Sequence, residues 1–344
     1  MEWSEYKDKF TEKAKQSGYT ERYIEKNLAY AEIIANKGYP IIYDVAHFSK
    51  LVGVSYEYIY KVSNASKYFY RKFDVKKKNG KKRVIHEPLP LLKSLQMWIL
   101  RNILEKKEVS IYAKAYKKRV SLKENVRFHR GQKIVLKLDI LNFFSSIESI
   151  YVYDFFRSIG YNKSVSRVLT NLCTLNRGLP QGASTSPYLS NIVMYNLDRK
   201  ISNYCKKKKI RYTRYADDMT FSGDFKPAGI IHFVKKELSK LNLELNYEKT
   251  KILGQNDRQN VTGVVVNQKI QIDRITRNNL RLEIYFLKKN QENHLRNICE
   301  AGQESKYLMG LLGRVNYGLH INEKDTVLLK YKEIIYEALS HYRT

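Results

Sequence analysis

The sequence lacks the features of a secreted, disulfide-stabilised or membrane-spanning protein. It has only three cysteines, Cys173, Cys205 and Cys299, and their wide spacing forms no metal-binding pair, so we expect reduced thiols in the core. No apolar run approaches the length of a membrane span, and the amino terminus lacks the basic-then-apolar order of a signal peptide. These absences predict a cytoplasmic protein with no membrane partner.

Acidic residues are also scarce relative to basic ones. The 344 residues include 63 Lys+Arg against 34 Asp+Glu, a formal net charge of +29. This excess is larger than solubility requires and predicts attraction to a polyanion, of which nucleic acid is the commonest; a membrane surface is the alternative. The length allows a large core and two or three subdomains.

Against this basic background, two adjacent acids stand out in Tyr215-Ala216-Asp217-Asp218. The β-prone residues on both sides, from 210 to 223, predict a hairpin with the carboxylates at its tip. Neighbouring like charges are costly unless they are neutralised, and a divalent metal such as Mg²⁺ does so with oxygen ligands. An acidic turn in water is the alternative, because Asp is common in turns.

A third carboxylate, Asp139, follows the predicted strand 134–138. A Gly- and Pro-rich loop at 177–187 then opens a predicted helix over 189–201. After the acidic hairpin come a predicted helix over 230–241 and another sheet edge over 243–252. The order strand, helix, hairpin, helix, strand predicts an α+β fold with a ferredoxin-like sheet, in which Asp139 and the acidic hairpin lie on neighbouring strands.

Three carboxylates in one place have a chemical use. Around two Mg²⁺ ions they suit the in-line attack of a hydroxyl on a phosphate, with one ion activating the nucleophile and the other stabilising the leaving pyrophosphate. The alternative for Asp139 alone is a strand-end residue that caps the next turn. Together with the basic charge, the set predicts a nucleic-acid polymerase.

The flanking segments are predicted from turn and periodicity signals. Residues 4–37 favour two helices, the second capped by Thr20, and residues 44–62 favour two short helices around Gly53. This last pair resembles a helix-turn-helix, although packing is the simpler interpretation. Asn79-Gly80 predicts a lysine-rich hairpin, which is followed by a predicted helix over 89–107. Residues 261–267 are predicted to form a strand, with which residues 269–272 could pair. Residues from 274 onward are predicted to form further helices.

With these motifs assembled, the chain resembles the bacterial reverse transcriptases from about residue 69 to about 320, and within them the retron reverse transcriptases. The motifs that carry the resemblance are Leu179-Pro180-Gln181-Gly182 with Thr185-Ser186-Pro187, Tyr215-Ala216-Asp217-Asp218, Asn125-Val126-Arg127-Phe128-His129 (similar to the retron Asn-Ala-x-x-His element) and Val261-Thr262-Gly263. Val126 and Ser184 depart from the usual Ala and Pro, and neither departure removes a catalytic group.

The resemblance implies a right-hand polymerase with fingers, a ferredoxin-like palm and a helical thumb. Residues 1–68 would form a helical amino-terminal extension and 69–138 the fingers. Residues 139–258 would form the palm, with part of the fingers inserted at about 150–180. Residues 259–344 would supply a strand pair and the thumb.

The resemblance also implies roles for individual residues. Asp139, Asp217 and Asp218 would bind two Mg²⁺ ions, and Lys249 would protonate the leaving pyrophosphate. Phe144 would exclude a ribose 2′-OH, so that dNTPs are preferred over NTPs. The implied nucleotide-binding residues are Lys82, Arg83, Phe144, Gln181, Gly182 and Ala216. The implied RNA-binding residues are Asn125, His129, Val261, Thr262 and Gly263.

By the same resemblance, the enzyme would copy its own folded noncoding RNA into msDNA, priming from a guanosine 2′-OH. Its partners would be that RNA and the msDNA product, dNTPs, a separate effector protein in anti-phage defence and host RNase H, because no second carboxylate cluster is present. The alternatives are another bacterial reverse transcriptase, such as a group II intron or other defence-associated type, and a non-catalytic nucleic-acid-binding protein with a decayed polymerase core.

Overall fold

The structure, a computed structural model, describes residues 3–76, 80, 82–300 and 302–341. The α-helices are α1 (Trp3–Gln16), α2 (Glu21–Ala35), α3 (Val45–Val52), α4 (Tyr56–Asn64), α5 (Pro90–Asn102), α6 (Leu122–Phe128), α7 (Phe143–Ser146), α8 (Ser149–Ile159), α9 (Lys163–Cys173), α10 (Ser186–Val193), α11 (Tyr195–Lys207), α12 (Pro227–Ser239), α13 (Arg274–Lys289), α14 (Gln291–Ile298), α15 (Glu304–Ile321) and α16 (Thr326–Ser340). The strands are β1 (Tyr70–Lys76), β2 (Lys82–Pro88), β3 (Ile134–Asp139), β4 (Arg211–Tyr215), β5 (Asp218–Gly223), β6 (Lys251–Leu253), β7 (Asn260–Val261), β8 (Val264–Val265) and β9 (Gln271–Ile272).

The chain forms two compact units, and each contains distant parts of the sequence. The first unit comprises residues 1–117, 139–203 and 229–247. The second comprises residues 118–138, 204–228 and 248–344. The units are defined by which residues lie close together in the folded chain. The boundaries of the fingers, palm and thumb stay predictions from the sequence.

The amino-terminal helices of the first unit form where the sequence predicts them. The Thr20 hydroxyl accepts a hydrogen bond from the Tyr23 N–H and caps α2. Asp44 caps α3, which ends at Gly53 in the left-handed region (φ 67°), and Ser55 caps α4. A glycine is needed at such a helix end because it adopts positive φ without steric cost.

A two-stranded hairpin follows in the first unit. Strands β1 and β2 pair antiparallel over their whole length, from Tyr70 opposite Pro88 to Lys76 opposite Lys82. The predicted Asn79-Gly80 turn falls largely outside the described residues, since only Gly80 of this turn is described, with φ 77°. The hairpin leads into α5, whose Leu92, Leu95 and Ile99 are buried and which packs on α9.

A four-stranded sheet forms in the second unit, with the order β4-β5-β3-β6. Strand β4 pairs antiparallel with β5, and β3 pairs antiparallel with β6. This is the strand order of a ferredoxin-like sheet, so the α+β prediction is confirmed. The prediction that the strand ending in Asp139 neighbours the acidic hairpin is confirmed too, because β3 lies beside β5.

Three predicted elements are wrong in detail. The helix predicted over 189–201 is two helices, because α10 ends at Val193 and α11 begins at Tyr195. The edge predicted over 243–252 reduces to β6, preceded by a 3₁₀ turn and a single bridge from Ile140 to Leu245. The strand predicted over 261–267 is a tight hairpin of β7 and β8.

Helices α13, α15 and α16 of the second unit pack around one apolar core, which the β7-β8-β9 sheet also contacts. Buried residues of α13, α15 and α16, such as Leu280, Leu311 and Ile335, pack together with Val264 of β8. The Arg277 guanidinium donates two hydrogen bonds to the Asp325 carboxylate, at 2.6 and 2.9 Å, and joins α13 to the start of α16. No helix within the described ranges has both the length and the apolar composition that a membrane span requires.

Candidate active site

The acidic pair lies at a tight turn between β4 and β5, as predicted. Tyr215 and Asp218 are the last cross-strand pair, so Ala216 and Asp217 alone make the turn. Ala216 has φ 58°, a left-handed conformation that costs a residue with a Cβ roughly 1 kcal/mol. Both carboxylates are half-buried. A strained turn that holds polar side chains at a sheet end is typical of functional sites.

A buried cation supports this turn. Arg214 is completely buried and is the largest side chain of the second unit with no solvent exposure. Its Nη1 donates a hydrogen bond of 3.1 Å to the carbonyl oxygen of Ala216. A buried guanidinium is stable only when hydrogen bonds compensate for its lost hydration, so the Ala216 carbonyl is held in place. Sequence reasoning missed Arg214, because an arginine in a strand is ordinarily expected at the surface.

The third carboxylate, Asp139, is the last residue of β3 and belongs to the first unit. Its side chain is only 4% exposed. Its backbone carbonyl accepts a hydrogen bond of 2.8 Å from the Asn246 N–H, and the Leu141 N–H donates to the Glu244 carbonyl. The segment after Asp139 is thereby fixed against residues 244–246, which holds the carboxylate at a defined place in its own unit.

The next feature of the site is its set of possible metal ligands. Among residues 3–76, 80, 82–300 and 302–341, no group of three or more His, Cys, Asp or Glu side chains has an arrangement that could hold a metal ion. The donor chemistry of Asp139, Asp217 and Asp218 nevertheless fits a hard divalent cation, because carboxylate oxygens are the ligands that Mg²⁺ prefers. The metal assignment of these three residues stays a prediction from the sequence.

The predicted sugar-contacting ring, Phe144, lies in the first unit in the short helix α7, which is hydrogen-bonded to the 177–187 loop. The Leu179 N–H donates a hydrogen bond of 3.0 Å to the Phe144 carbonyl. A Cβ on Gly178 would lie 2.4 Å from the carbonyl oxygen of Ser145, so only glycine allows this approach. The Phe144 ring is half-buried and contacts Tyr116 at 6.1 Å between ring centroids.

The same loop is tied to the β1–β2 hairpin within the first unit. The His86 N–H donates a hydrogen bond of 2.8 Å to the Gln181 carbonyl. Gly182 has φ 127°, and a Cβ there would lie 2.6 Å from the His86 carbonyl oxygen. The predicted nucleotide-binding residues Gln181 and Gly182 are therefore in backbone contact with the strand that carries Lys82 and Arg83.

The predicted phosphate-binding cations are accessible to solvent. Lys82 and Arg83 are exposed on β2, and the Lys82 ammonium lies 3.5 Å from the Asp74 carboxylate on β1. Such an exposed pair contributes little to stability, so an anionic ligand could compete for Lys82. Lys249 is also exposed, at the end of a 3₁₀ turn in the second unit.

The predicted RNA-binding residues of the second unit divide by burial. Asn125, His129 and Val261 are completely or almost completely buried. Their buried side chains offer little surface to a ligand, and their contribution to RNA recognition stays a prediction from the sequence. Thr262 is half-buried and Gly263 is exposed, so these two remain candidates for direct contact with RNA.

Comparison with known proteins identifies the family. Residues 75–266 match the family described as reverse transcriptase (RNA-dependent DNA polymerase). The retron Ec86 reverse transcriptase of Escherichia coli is 34% identical over 271 residues, which cover 76% of this chain and 85% of that protein. The retron Ec83 reverse transcriptase of the same species is 27% identical over 290 residues, which cover 79% of this chain and 90% of that protein.

A relative from another species extends the likeness. The retron Mx65 reverse transcriptase of Myxococcus xanthus is 33% identical over 236 residues, which cover 63% of this chain and 55% of that protein. The family match includes the acidic hairpin, the 177–187 loop and Asp139. The chain therefore belongs to the bacterial retron reverse transcriptases, and its activity is that of an RNA-directed DNA polymerase.

Proposed function

We propose that this reverse transcriptase copies a cognate, structured noncoding RNA into msDNA, starting from a guanosine 2′-OH of that RNA. The observation that carries the proposal is the acidic hairpin, a strained two-residue turn in which Arg214 fixes the Ala216 carbonyl and presents Asp217 and Asp218. The resemblance of its motifs to those of retrons supports the proposal that the template is a cognate RNA and that the product is primed from a 2′-OH. A separate effector in anti-phage defence, and host RNase H for template removal, belong to the same proposal.

The proposed chemistry assigns Asp139, Asp217 and Asp218 to two Mg²⁺ ions. When bound, these ions would activate the attacking hydroxyl and neutralise charge on the leaving pyrophosphate. Asp139 is almost fully buried, at 4% exposure. Lys249 would donate a proton to pyrophosphate.

The first unit would select and orient the dNTP. Phe144 would occupy the space of a ribose 2′-OH, and Gln181 and Gly182 would line the nucleotide pocket. Ala216 of the acidic hairpin stays a nucleotide-binding residue predicted from the sequence. Lys82 and Arg83 would bind the triphosphate. The Lys82 ammonium would act as a single positive charge, and the Arg83 guanidinium would donate two parallel hydrogen bonds. The backbone bond from His86 to Gln181 supports this assignment, since it couples the strand of these cations to the 177–187 loop.

The first prediction concerns the acidic hairpin. Asp217→Asn keeps the shape of the side chain but removes the charge that two metal ions need, so DNA synthesis should fall by at least about 10³-fold. RNA affinity should stay within about twofold, because one carboxylate among many cations contributes little to it. Incorporation of labelled dNTP on poly(rA)·oligo(dT) measures the activity, and filter binding measures the affinity. Undiminished synthesis by this variant contradicts the metal assignment.

The retron-specific part is tested on the nucleic acid that co-purifies with the protein. The protein is expressed together with the DNA that flanks its gene, and the bound nucleic acid is extracted and treated with ribonuclease and debranching enzyme. DNA joined to RNA through a 2′ branch is the expected product. If the unaltered protein and the Asp217→Asn variant both yield only linear RNA, the msDNA proposal is contradicted. The polymerase activity would not be affected by that result.

A further inference from the structure

A chain of buried hydrogen bonds joins four segments of the second unit. His129, at the end of α6, lies between the two strands of the acidic hairpin: its Nδ1 is 2.7 Å from Ser222 Oγ on β5, and its Nε2 is 2.8 Å from Thr213 Oγ1 on β4. Thr213 Oγ1 lies 2.6 Å from Asn125 Oδ1, and Asn125 Nδ2 lies 3.4 Å from Thr262 Oγ1. We call these five residues the His129 network.

The donors of the His129 network all point in one direction. Asn125 Oδ1 can only accept, so the Thr213 hydroxyl donates to it and must itself accept from His129. The ring therefore carries its proton on Nε2, and Nδ1 accepts from the Ser222 hydroxyl. Hydrogen bonds aligned in this way strengthen one another in a buried site.

The His129 ring is neutral in this setting. Burial, together with the charge of Arg211, lowers the pKa of His129 to about 3. The ring is completely buried and both of its nitrogens are engaged, so it has neither charge nor free hydrogen-bonding capacity for an RNA phosphate or base. The role of His129 therefore lies in the strands that its hydrogen bonds hold in place.

What the network holds is one face of the acidic hairpin. In the β4–β5 register, Arg211 pairs with Ser222, Thr213 with Thr220 and Tyr215 with Asp218. Side chains at alternate positions of a strand share a face. Thr213 and Ser222 therefore lie on the same face as Asp218, and Thr213 is two residues from Tyr215.

The far end of the network meets a second strained turn. Thr262 and Gly263 connect β7 and β8 with φ values of 46° and 84°, the pattern of a type I′ hairpin. A β-branched residue in this region is rare and persists only where its surroundings hold it. The bond from Asn125 to the Thr262 hydroxyl is one such constraint.

We propose that Asn125 and His129 are positioning residues that align the acidic hairpin for DNA synthesis, and that they do not contact the RNA. Together they fix β4, β5 and the Thr262-Gly263 turn to α6. The two retron-like elements would thus be joined to the catalytic hairpin by one set of hydrogen bonds. This inference rests on the proposed catalytic role of Asp217 and Asp218.

The test removes one hydroxyl while keeping its shape. Thr213→Val breaks the network at its centre, and Thr213→Ser keeps the hydroxyl and should restore activity to within about threefold. Thr220→Val is the matched control: Thr220 faces Thr213 across the hairpin and is similarly buried, and no hydrogen bond among the described residues joins it to the network. We expect Thr213→Val to lower kcat about tenfold, because a small misplacement of catalytic groups has effects of this size or larger.

Two templates separate positioning from RNA recognition. Synthesis is measured on poly(rA)·oligo(dT) and on the RNA that co-purifies with the unaltered protein, with rates expressed per active site from single-turnover incorporation. Positioning lowers kcat equally on both templates and leaves the Kd for each RNA within about twofold. A Ser222→Ala, Thr213→Val double variant should then lose less than the product of the single effects, because both act through His129.

Three outcomes overturn the inference. A loss confined to the co-purifying RNA, with a weaker Kd, would assign the network to RNA recognition. A lower melting temperature with an unchanged rate per active site would assign it to stability alone. Equal losses in Thr213→Val and Thr220→Val would remove the special role of the hydroxyl. If Asp217→Asn remains active, the proposed function fails first; if only Thr213→Val remains active, the positioning inference alone fails.

Discussion

At the scale of single residues, Gly182 shows how the nucleotide loop depends on the absence of a side chain. Its φ of 127° and the 2.6 Å that a Cβ would leave to the His86 carbonyl both require glycine. The obstacle is backbone rather than the end of a flexible side chain. Because the His86 N–H already bonds to the Gln181 carbonyl, the two segments cannot separate without losing that bond.

We therefore predict that Gly182→Ala lowers kcat/KM for dNTPs about tenfold, mainly through a higher KM. The added methyl group forces the loop away from β2, and such overpacking costs about 1–3 kcal/mol. Steady-state incorporation with varied dNTP at fixed poly(rA)·oligo(dT) measures this effect. RNA affinity should not change.

Gly38→Ala provides the control for backbone strain alone. Gly38 belongs to the first unit and has φ 74°, but a Cβ there meets no atom within 4 Å. It should share the strain of a positive φ without the steric clash and leave the KM for dNTPs unchanged. Equal KM values for Gly182→Ala and the unaltered enzyme would show that the loop is not in the nucleotide pocket.

The sequence predicted such residues where a local pattern carries the information. Thr20, Gly53 and the acidic turn were all identified, because capping, helix termination and hairpin formation depend on near neighbours in the chain. Arg214 and the fit of Gly182 against His86 were missed, since they depend on partners that folding supplies. Nothing in the spacing of residues 177–187 indicates that His86 is the neighbour.

At the scale of elements, the short helix α6 is attached to the β4–β5 hairpin by Asn125 and by His129, the residue that follows its last turn. His129 bonds to both strands, and the Arg211 guanidinium donates a hydrogen bond of 2.8 Å to the Phe128 carbonyl. The attachment requires a neutral imidazole, because a protonated ring would be a buried charge close to Arg211. Acid should therefore weaken it.

The direction of this pH dependence follows from which state of the protein, folded or unfolded, binds more protons. In the unfolded chain His129 titrates near 6.5, and in the folded protein its pKa is about 3. Between these values the unfolded state binds one proton more, so the contribution of His129 to stability is complete above pH 6.5 and is lost as the pH falls toward 3. We predict a loss from this residue of about 1.4 kcal/mol per pH unit between pH 6 and 4.

Denaturant unfolding at several pH values measures this loss against a His129→Gln variant. The amide can occupy part of the ring's hydrogen-bonding positions and does not titrate. The variant should be less stable at pH 7 but should lose less stability on acidification than the unaltered protein. Parallel pH profiles would show that His129 is not the titrating group, since the carboxylates common to both proteins would then account for the whole slope.

The elements that the sequence mispredicted share one cause. Residues 261–267 are rich in β-branched side chains and read as one strand, yet Thr262 adopts a turn conformation that its own propensity opposes. Tertiary contacts, among them the bond from Asn125, decide the conformation there. The ferredoxin-like order was predicted correctly because it depends on the sequence of elements rather than on where each one ends.

At the scale of the whole molecule, charge is the property that the sequence determines most directly. The formal net charge of +29 belongs to a protein that uses RNA as its template. Some of its cations form ion pairs with buried carboxylates, such as Arg277 with Asp325, but basic residues outnumber acidic ones by 63 to 34. Many exposed lysines and arginines are thus available to phosphates. Contacts with phosphates release counterions, so affinity must depend steeply on salt.

We predict that the affinity for RNA falls at least about 100-fold between 50 and 200 mM NaCl, as several phosphate contacts require. Fluorescence anisotropy with labelled poly(rA)·oligo(dT) over this range measures it. The Thr213→Val variant should show the same slope, because its hydroxyl is buried and contacts no phosphate, whereas Lys82→Ala and Arg83→Ala should change the KM for dNTPs more than the slope. A flat salt dependence would mean that the positive charge serves another partner, and would separate the basic surface from the binding of the template.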